Sequence, residues 1–187
     1  PIDKKTNYVK RCTAIPGDKL EIKDGVIFIN DKKSIMPDRA HPQYVHKVYS
    51  SKGVATTTLV DAGSSEFIRK FITTIYNENQ ANAITPYVLG SSKNNDGSVT
   101  FITDQRGVPN SILSQYSISI TEVNDFEREA NLTLNNAEKL RKSSSIDSVV
   151  RIIFKKDQPN KEIFPGNTNW TIDNFGPIYL PKAGETV

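Results

Sequence analysis

The chain has 187 residues, 36% of them hydrophobic and 24% charged, with a mean hydropathy of −0.46. That is long enough for one domain with a core, or a domain carrying an insertion, and no apolar run approaches the ~20 residues of a membrane helix. The 24 basic and 21 acidic side chains are interleaved and leave a net charge of only +3, which argues against a nucleic-acid partner because that would need a dense basic face. A single cysteine, Cys12, excludes an internal disulfide and is expected to be a small buried apolar side chain. No secretory leader is visible, Pro1 stands at the start, and the chain stops at Val187 soon after a strand-like segment, so we expect an internal stretch of a longer protein.

From the N-terminus, Tyr8 to Ile15 is rich in β-formers, and Pro16-Gly17-Asp18 is a turn signal because Pro presets φ and Gly accepts φ > 0. Leu20 and Ile22 alternate with charged residues, Asp24-Gly25 is the favoured two-residue hairpin loop, and Val26 to Ile29 returns as a strand ended by Asn30-Asp31. Tyr44 to Tyr49 alternates like a half-buried strand, Ser50 to Gly53 is a turn, and the β-branched run Val54 to Val60 predicts another strand. Phe67, Ile68, Phe71, Ile72 and Ile75 recur at helical steps, so Ser64 to Asn77 is expected to be a helix capped by Ser64 or Ser65. A hairpin is expected around Asn94 to Gly97, between Thr85–Gly90 and Ser98–Thr103.

Ser117 to Thr121 alternates. From Glu122 to Leu134 the spacing fits a helix through Val123, Phe126 and Ala130, or a hairpin through Ala130, Leu132 and Leu134; we take the hairpin. A second helix follows, about Asn135 to Lys142, capped by Asn135 or Asn136 with Ala137 and Leu140 facing inward. Ser148 to Lys155 and Ile178 to Leu180 complete the strands, the latter stopped by Pro181. Strand–helix–strand thus occurs twice in the middle of the chain, the pattern a duplication leaves. The fold class expected is α+β: a mostly antiparallel sheet with about two helices.

Two segments carry a resemblance. Tyr8-Val9-Lys10-Arg11, then Pro16-Gly17-Asp18, the Asp24-Gly25 hairpin and a strand ending in Asn30 resemble the lysine-bearing motif of bacterial type I signal peptidases. Trp170 to Gly184 resembles a segment of that family, especially of the longer members from Bacteroides-like bacteria. Together they span about a quarter of the chain, at its two ends. The resemblance implies a signal-peptidase-like β fold and a membrane-anchored serine endopeptidase that removes signal peptides from exported preproteins. It implies anchoring through segments outside this chain, a catalytic part on the periplasmic, extracytoplasmic side of the inner membrane, and no cofactor.

The resemblance makes Lys10 the general base of a Ser/Lys dyad. Its apolar neighbours Tyr8, Val9, Cys12 and Ala14 suit that role, because a desolvated lysine loses its proton more readily and a neutral amine can take one from a serine hydroxyl. The resemblance also puts Asn7, Tyr8 and Val9 on the strand that lines the substrate groove, where a signal peptide adds as an extended strand. The family's serine lies upstream of its lysine in a Ser-Met-x-Pro context, and none of the nine residues before Lys10 is serine; the downstream Gly-Asp-Asn-Arg motif is absent too. The stretch by itself is therefore expected to be inactive. Ser34-Ile35-Met36-Pro37 follows the lysine and reads as loop, and Gly63-Ser64-Ser65 reads as a helix cap.

The domain organisation expected is 1–35 in the catalytic core, 36–165 as an inserted β-rich subdomain with helices, and 166–187 as the return to the core. His41 and His46, five apart, fall on opposite faces of a strand and lack a third ligand, so no metal is expected. Trp170, Phe175 and Tyr179 are expected in the core. The rival reading is a non-catalytic extracytoplasmic α+β binding module in which Lys10 is ordinary; a self-cleaving repressor-like fold uses the same dyad, but nothing here supplies a DNA-binding half.

Overall fold

The computed structural model describes residues 12–157, 163, 165–166 and 168–186. Its described strands are antiparallel and form three sheets, accompanied by four short helices, so the chain is α+β. It divides into two compact units, Pro1–Ala40 with Ile153–Val187, and His41–Ile152.

In the first unit β1 (Lys19–Lys23), β2 (Val26–Ile29) and β3 (Lys32–Lys33) form successive hairpins. Both turns have positive φ at their two central residues, Asp24 (48°) with Gly25 (72°), and Asn30 (51°) with Asp31 (64°). These are type I′ turns, whose twist matches that of the strands they join.

The second unit opens with β4 (Gln43–Tyr49), α1 (Thr56–Asp61) and β5 (Arg69–Thr73). Then come α2 (Glu78–Ile84), a 3-10 turn at Thr85–Tyr87, β6 (Gly90–Lys93) and β7 (Val99–Thr103). It continues with α3 (Asn110–Gln115), β8 (Ile120–Val123), β9 (Glu127–Thr133), α4 (Leu134–Arg141) and β10 (Ser148–Arg151). The chain returns to the first unit for β11 (Phe175–Tyr179), which pairs with β1.

Several sequence expectations are overturned. Val54 to Val60 is not a strand: Leu59 on α1 and Ala62 at its C-cap turn inward with Val54, and this packing outweighs the poor helix propensity of three threonines. Ser64 to Asn77 is not a helix. Phe67 and Phe71 are buried while Ile68 and Ile72 are exposed, the alternation of a strand; apolar residues on both faces imitate a helical stripe. Ser64 caps nothing there, and its hydroxyl donates to the Asn131 carbonyl at 3.1 Å. The hairpin strand expected at Thr85–Gly90 lies later, at β6. β8 and β9 are both strands, as the hairpin reading required, but they pair into different sheets. Among the described residues four helices stand where about two were expected. The α4 helix matches, with Ala137 and Leu140 buried, although its cap is Thr133, whose Oγ1 accepts from Asn136 N at 3.1 Å.

The doubled pattern has an architectural basis. Sheet β6-β7-β5-β8 is served by α2 and α3 in the chain order β5-α2-β6-β7-α3-β8, a split β-α-β unit. Sheet β10-β4-β9 gains a fourth member where Phe67 bridges Ala130. Read as β4, α1, the Phe67 segment, β9, α4, β10, it has the same order, with last, first, third and second strands side by side. The second unit thus contains the topology twice, one copy nested inside the other. Each copy has its own core: Val48, Val54, Leu59, Phe67, Leu132 and Leu140 in the outer, and Phe71, Ile84, Phe101, Val108 and Ile118 in the inner, with Phe71 and Phe101 stacked at 5.4 Å.

Candidate functional site

Lys10, Asn7, Tyr8 and Val9, the residues singled out for catalysis and substrate binding, lie outside the described residues. What the structure describes is the frame that receives the lysine-bearing segment at Cys12 and turns it into the sheet. Cys12 is exposed, not buried, and its Sγ donates to the Ala14 carbonyl at 3.2 Å.

The first element of that frame is the Pro16-Gly17-Asp18 turn. Gly17 adopts φ +95°, a region that favours glycine. Asp18 ties the turn together: Oδ2 accepts from Ile15 N at 2.9 Å and Oδ1 accepts from Asn30 Nδ2 at 2.8 Å. Asn30 Oδ1 in turn accepts from Lys19 N at 2.9 Å, and Lys19 Nζ reaches Asp31 at 2.6 Å. The bond from the Ile15 amide, and then that from Asn30, hold the Asp18 carboxyl below its ordinary pKa; the bond from Lys19 does the same for Asp31.

The second element comes from the far end of the chain. β11 lies antiparallel to β1, with Lys19 opposite Tyr179, Leu20 opposite Ile178 and Ile22 opposite Phe175. Gly17 N donates to the Leu180 carbonyl at 2.6 Å, and Leu180 N donates to the Asp18 carbonyl at 2.9 Å. Close approach is possible because Gly176, at φ +88°, has no Cβ; one would sit 2.8 Å from the Leu20 carbonyl oxygen. The Asp24-Gly25 turn is held from the same end, since Gly25 N donates to the Asp173 carbonyl at 2.7 Å and Asp24 N to Asn174 Oδ1 at 3.2 Å. Thr171, buried, donates to the Phe154 carbonyl at 2.5 Å. Trp170 is half-buried and packs on Phe175 at 4.7 Å, but Tyr179 is exposed, so it is not a core residue. Its hydroxyl donates to Glu185 Oε2 at 2.8 Å, which raises its pKa.

The two segments that carry the family resemblance are therefore neighbouring strands of one sheet. The partnership of Asp18 with Asn30 escaped the sequence reading, which treated the turn as geometry alone. It was recoverable: a two-residue loop at Asp24-Gly25 puts Leu20 opposite Ile29, as observed, and so brings residues 18 and 30 to the same end of the hairpin.

The second unit holds an ionic network rather than a reactive dyad. Glu122 receives both Arg69 Nε at 2.9 Å and Nη2 at 2.8 Å, and Thr56 Oγ1 at 2.5 Å. Burial pushes the Glu122 carboxyl up, but the bonds from Arg69 and Thr56 outweigh it and the net shift is downward. Arg69 and Glu122 line a 650 Å³ cleft with Phe71, Val108, Leu113 and Ile120. His46 is fully buried, its Nδ1 donating to the Tyr44 carbonyl at 2.8 Å while Nε2 has no hydrogen-bond partner among the described residues. Among the described residues, no three His, Cys, Asp or Glu side chains gather as a metal site would require, and no helix is long and apolar enough to cross a membrane.

A family model described as signal peptidase, peptidase S26, matches residues 1–107. No curated protein and no solved structure matches the chain.

Proposed function

The chain belongs to the signal peptidase family, peptidase S26, a family of serine peptidases, and on that premise we propose that it contributes the lysine half of a Ser/Lys dyad to a type I signal peptidase. Lys10 is the general base, taking the proton of a serine hydroxyl as that oxygen attacks the scissile carbonyl, in the role histidine has in the triad of other serine proteases. Asn7, Tyr8 and Val9 form the edge to which the signal peptide adds as an extended strand. The full-length protein is membrane-anchored and works on the extracytoplasmic side on exported preproteins. Residues 1–35 and 166–187 belong to its catalytic core.

One observation carries the reading beyond the family match. The two segments that resemble the family, distant in sequence, pair as β1 and β11, as parts of one catalytic core must.

The test is cleavage of a preprotein by the full-length protein with Lys10 intact, with Lys10→Ala and with Lys10→Arg. Loss of cleavage in both variants, with the circular dichroism spectrum retained, is the expected result. Unchanged cleavage would overturn the assignment and favour a non-catalytic binding module. For the intervening region, 36–165 in the sequence reading, we propose a role in shaping access to the groove or docking a secretion partner. Normal processing by full-length protein with this region shortened would sink that role.

A further inference from the structure

We propose that Asp18, latched to Asn30 and Leu180, is a positioning residue that fixes the chain leaving the lysine motif, and so sets where Lys10 is presented. The inference rests on the reading of Lys10 as general base. Ile15 follows Lys10 by five residues, a tether of at most about 17 Å. Both peptide groups of Ile15 are engaged by Asp18: Ile15 N donates to Oδ2 at 2.9 Å, and the Ile15 carbonyl accepts from Asp18 N at 3.0 Å. Asp18 is itself fixed from two directions, by Asn30 Nδ2 at 2.8 Å from the end of β2 and by Leu180 N at 2.9 Å from the end of β11. Every hydrogen-bonding group of this one residue is thus used to join three segments of chain.

The geometry makes a specific demand. Asp18 must accept twice through its side chain, and Asn30 must donate to it while accepting from Lys19 N at 2.9 Å. Exchanging the two residues meets the same demand. An asparagine at position 18 can accept from Ile15 and donate across, and an aspartate at position 30 can accept from both. Both residue types tolerate the positive φ of Asn30. The latch therefore survives the double exchange, although the negative charge moves to the other side.

The experiment compares Asp18→Ala, Asp18→Asn, the double variant Asp18→Asn/Asn30→Asp, Lys10→Ala and Asn174→Ala in the full-length protein, with kcat, KM, a pH–rate profile and a melting curve for each. Asn174→Ala removes the brace of the Asp24-Gly25 turn instead, and controls for loss of stability in the same unit. We expect kcat to fall tenfold or more in Asp18→Ala, with KM within about twofold, and the acid limb of the profile to move to higher pH as a mispositioned lysine regains water. Asp18→Asn should fall part-way, and the double exchange should recover to within about threefold of the parent. Asn174→Ala should melt lower with kcat kept. A normal kcat in Asp18→Ala while Lys10→Ala is dead overturns the latch and leaves the dyad standing. A double exchange no better than Asp18→Asn overturns it too, by assigning the effect to the charge at position 18. An active Lys10→Ala removes the dyad, and the latch with it.

Discussion

Arg128 donates from Nη2 to the carbonyl oxygen of Ile68 at 2.7 Å, pinning the one point where the outer copy of the nested topology hands its strand to the inner. Its Nη1 serves the Val54 carbonyl and Thr56 Oγ1, each at 3.0 Å. The guanidinium is buried, and burial lowers its pKa, yet an arginine starts high enough to remain a cation. Arg128→Met would fill much of the volume but leave two carbonyls without a donor. We expect a loss of about 2–4 kcal/mol in urea unfolding. Arg128→Lys, a point charge without the planar fork, should recover only part of it.

Gly17 and Gly176, both at positive φ and both closely approached, should respond unequally to an added methyl group. At Gly17 an added Cβ would run into Lys182 Cε, the movable end of a side chain; at Gly176 it would meet the Leu20 carbonyl oxygen at 2.8 Å, which is backbone. Gly17→Ala should cost about 1–2 kcal/mol, the left-handed backbone penalty alone. Gly176→Ala should cost at least twice that and abolish the cross-strand contacts of Leu20 with Ile178, read by nuclear Overhauser effects.

Acid should weaken the second unit in two stages. Burial holds the His46 imidazole below its ordinary value of about 6.5. The unfolded chain then takes up the proton first, so stability is full above that pH and falls as pH drops toward the folded value, by at most ~1.4 kcal/mol per pH unit. Arg141 and Arg151 add to the cost of charging the ring, and His46→Leu should remove this stage. Glu122, whose pKa is lowered from about 4.5, supplies the second: its stabilisation is present above that pH and is lost below it. Glu122→Gln should remove only that stage. Urea midpoints between pH 7.5 and 3.5 would separate the two.

Because Phe67 bridges Ala130, the outer copy closes on itself without the inner one. Replacing Lys70–Val123 by a short Gly-Asn turn should leave a chain that still melts cooperatively around Leu132 and Leu140. A broad, non-cooperative transition would show instead that the copies fold only together.

The β1-β2 hairpin was legible in the sequence because its Asp24-Gly25 turn is chemically specified and accepts positive φ; Asn30-Asp31 was read only as the end of a strand, and the β2-β3 hairpin it makes was missed. The α4 helix was legible because Ala137 and Leu140 share a face that is buried, and its neighbours are polar. The strand from Phe67 to Thr73 was misread for the opposite reason. Ile68 and Ile72 are 48% and 38% exposed, so burial does not follow hydrophobicity there, and a strand with two apolar faces copies a helix's spacing. The α1 helix was hidden because its threonines favour strands, and only Leu59 and Ala62, packed in one core with Val48 before them and Leu132 and Val149 far along the chain, decide otherwise. In the candidate site the turn was foreseen, but the Asp18–Asn30 bond required the hairpin register to be carried one step further.

The pairing of Lys19 with Tyr179 also dictates an order of assembly. During synthesis β1 and β2 emerge well before β11, with the 41–152 unit between them, so one edge of β1 waits unpaired while that whole unit is made. Such an edge invites pairing with other chains. The 41–152 unit, complete before β11 appears, can collapse first and shorten the loop that must then be closed. Refolding should accordingly show the second unit forming fast and the β1–β11 pair last, and a cell lacking chaperones should lose this protein at that final step.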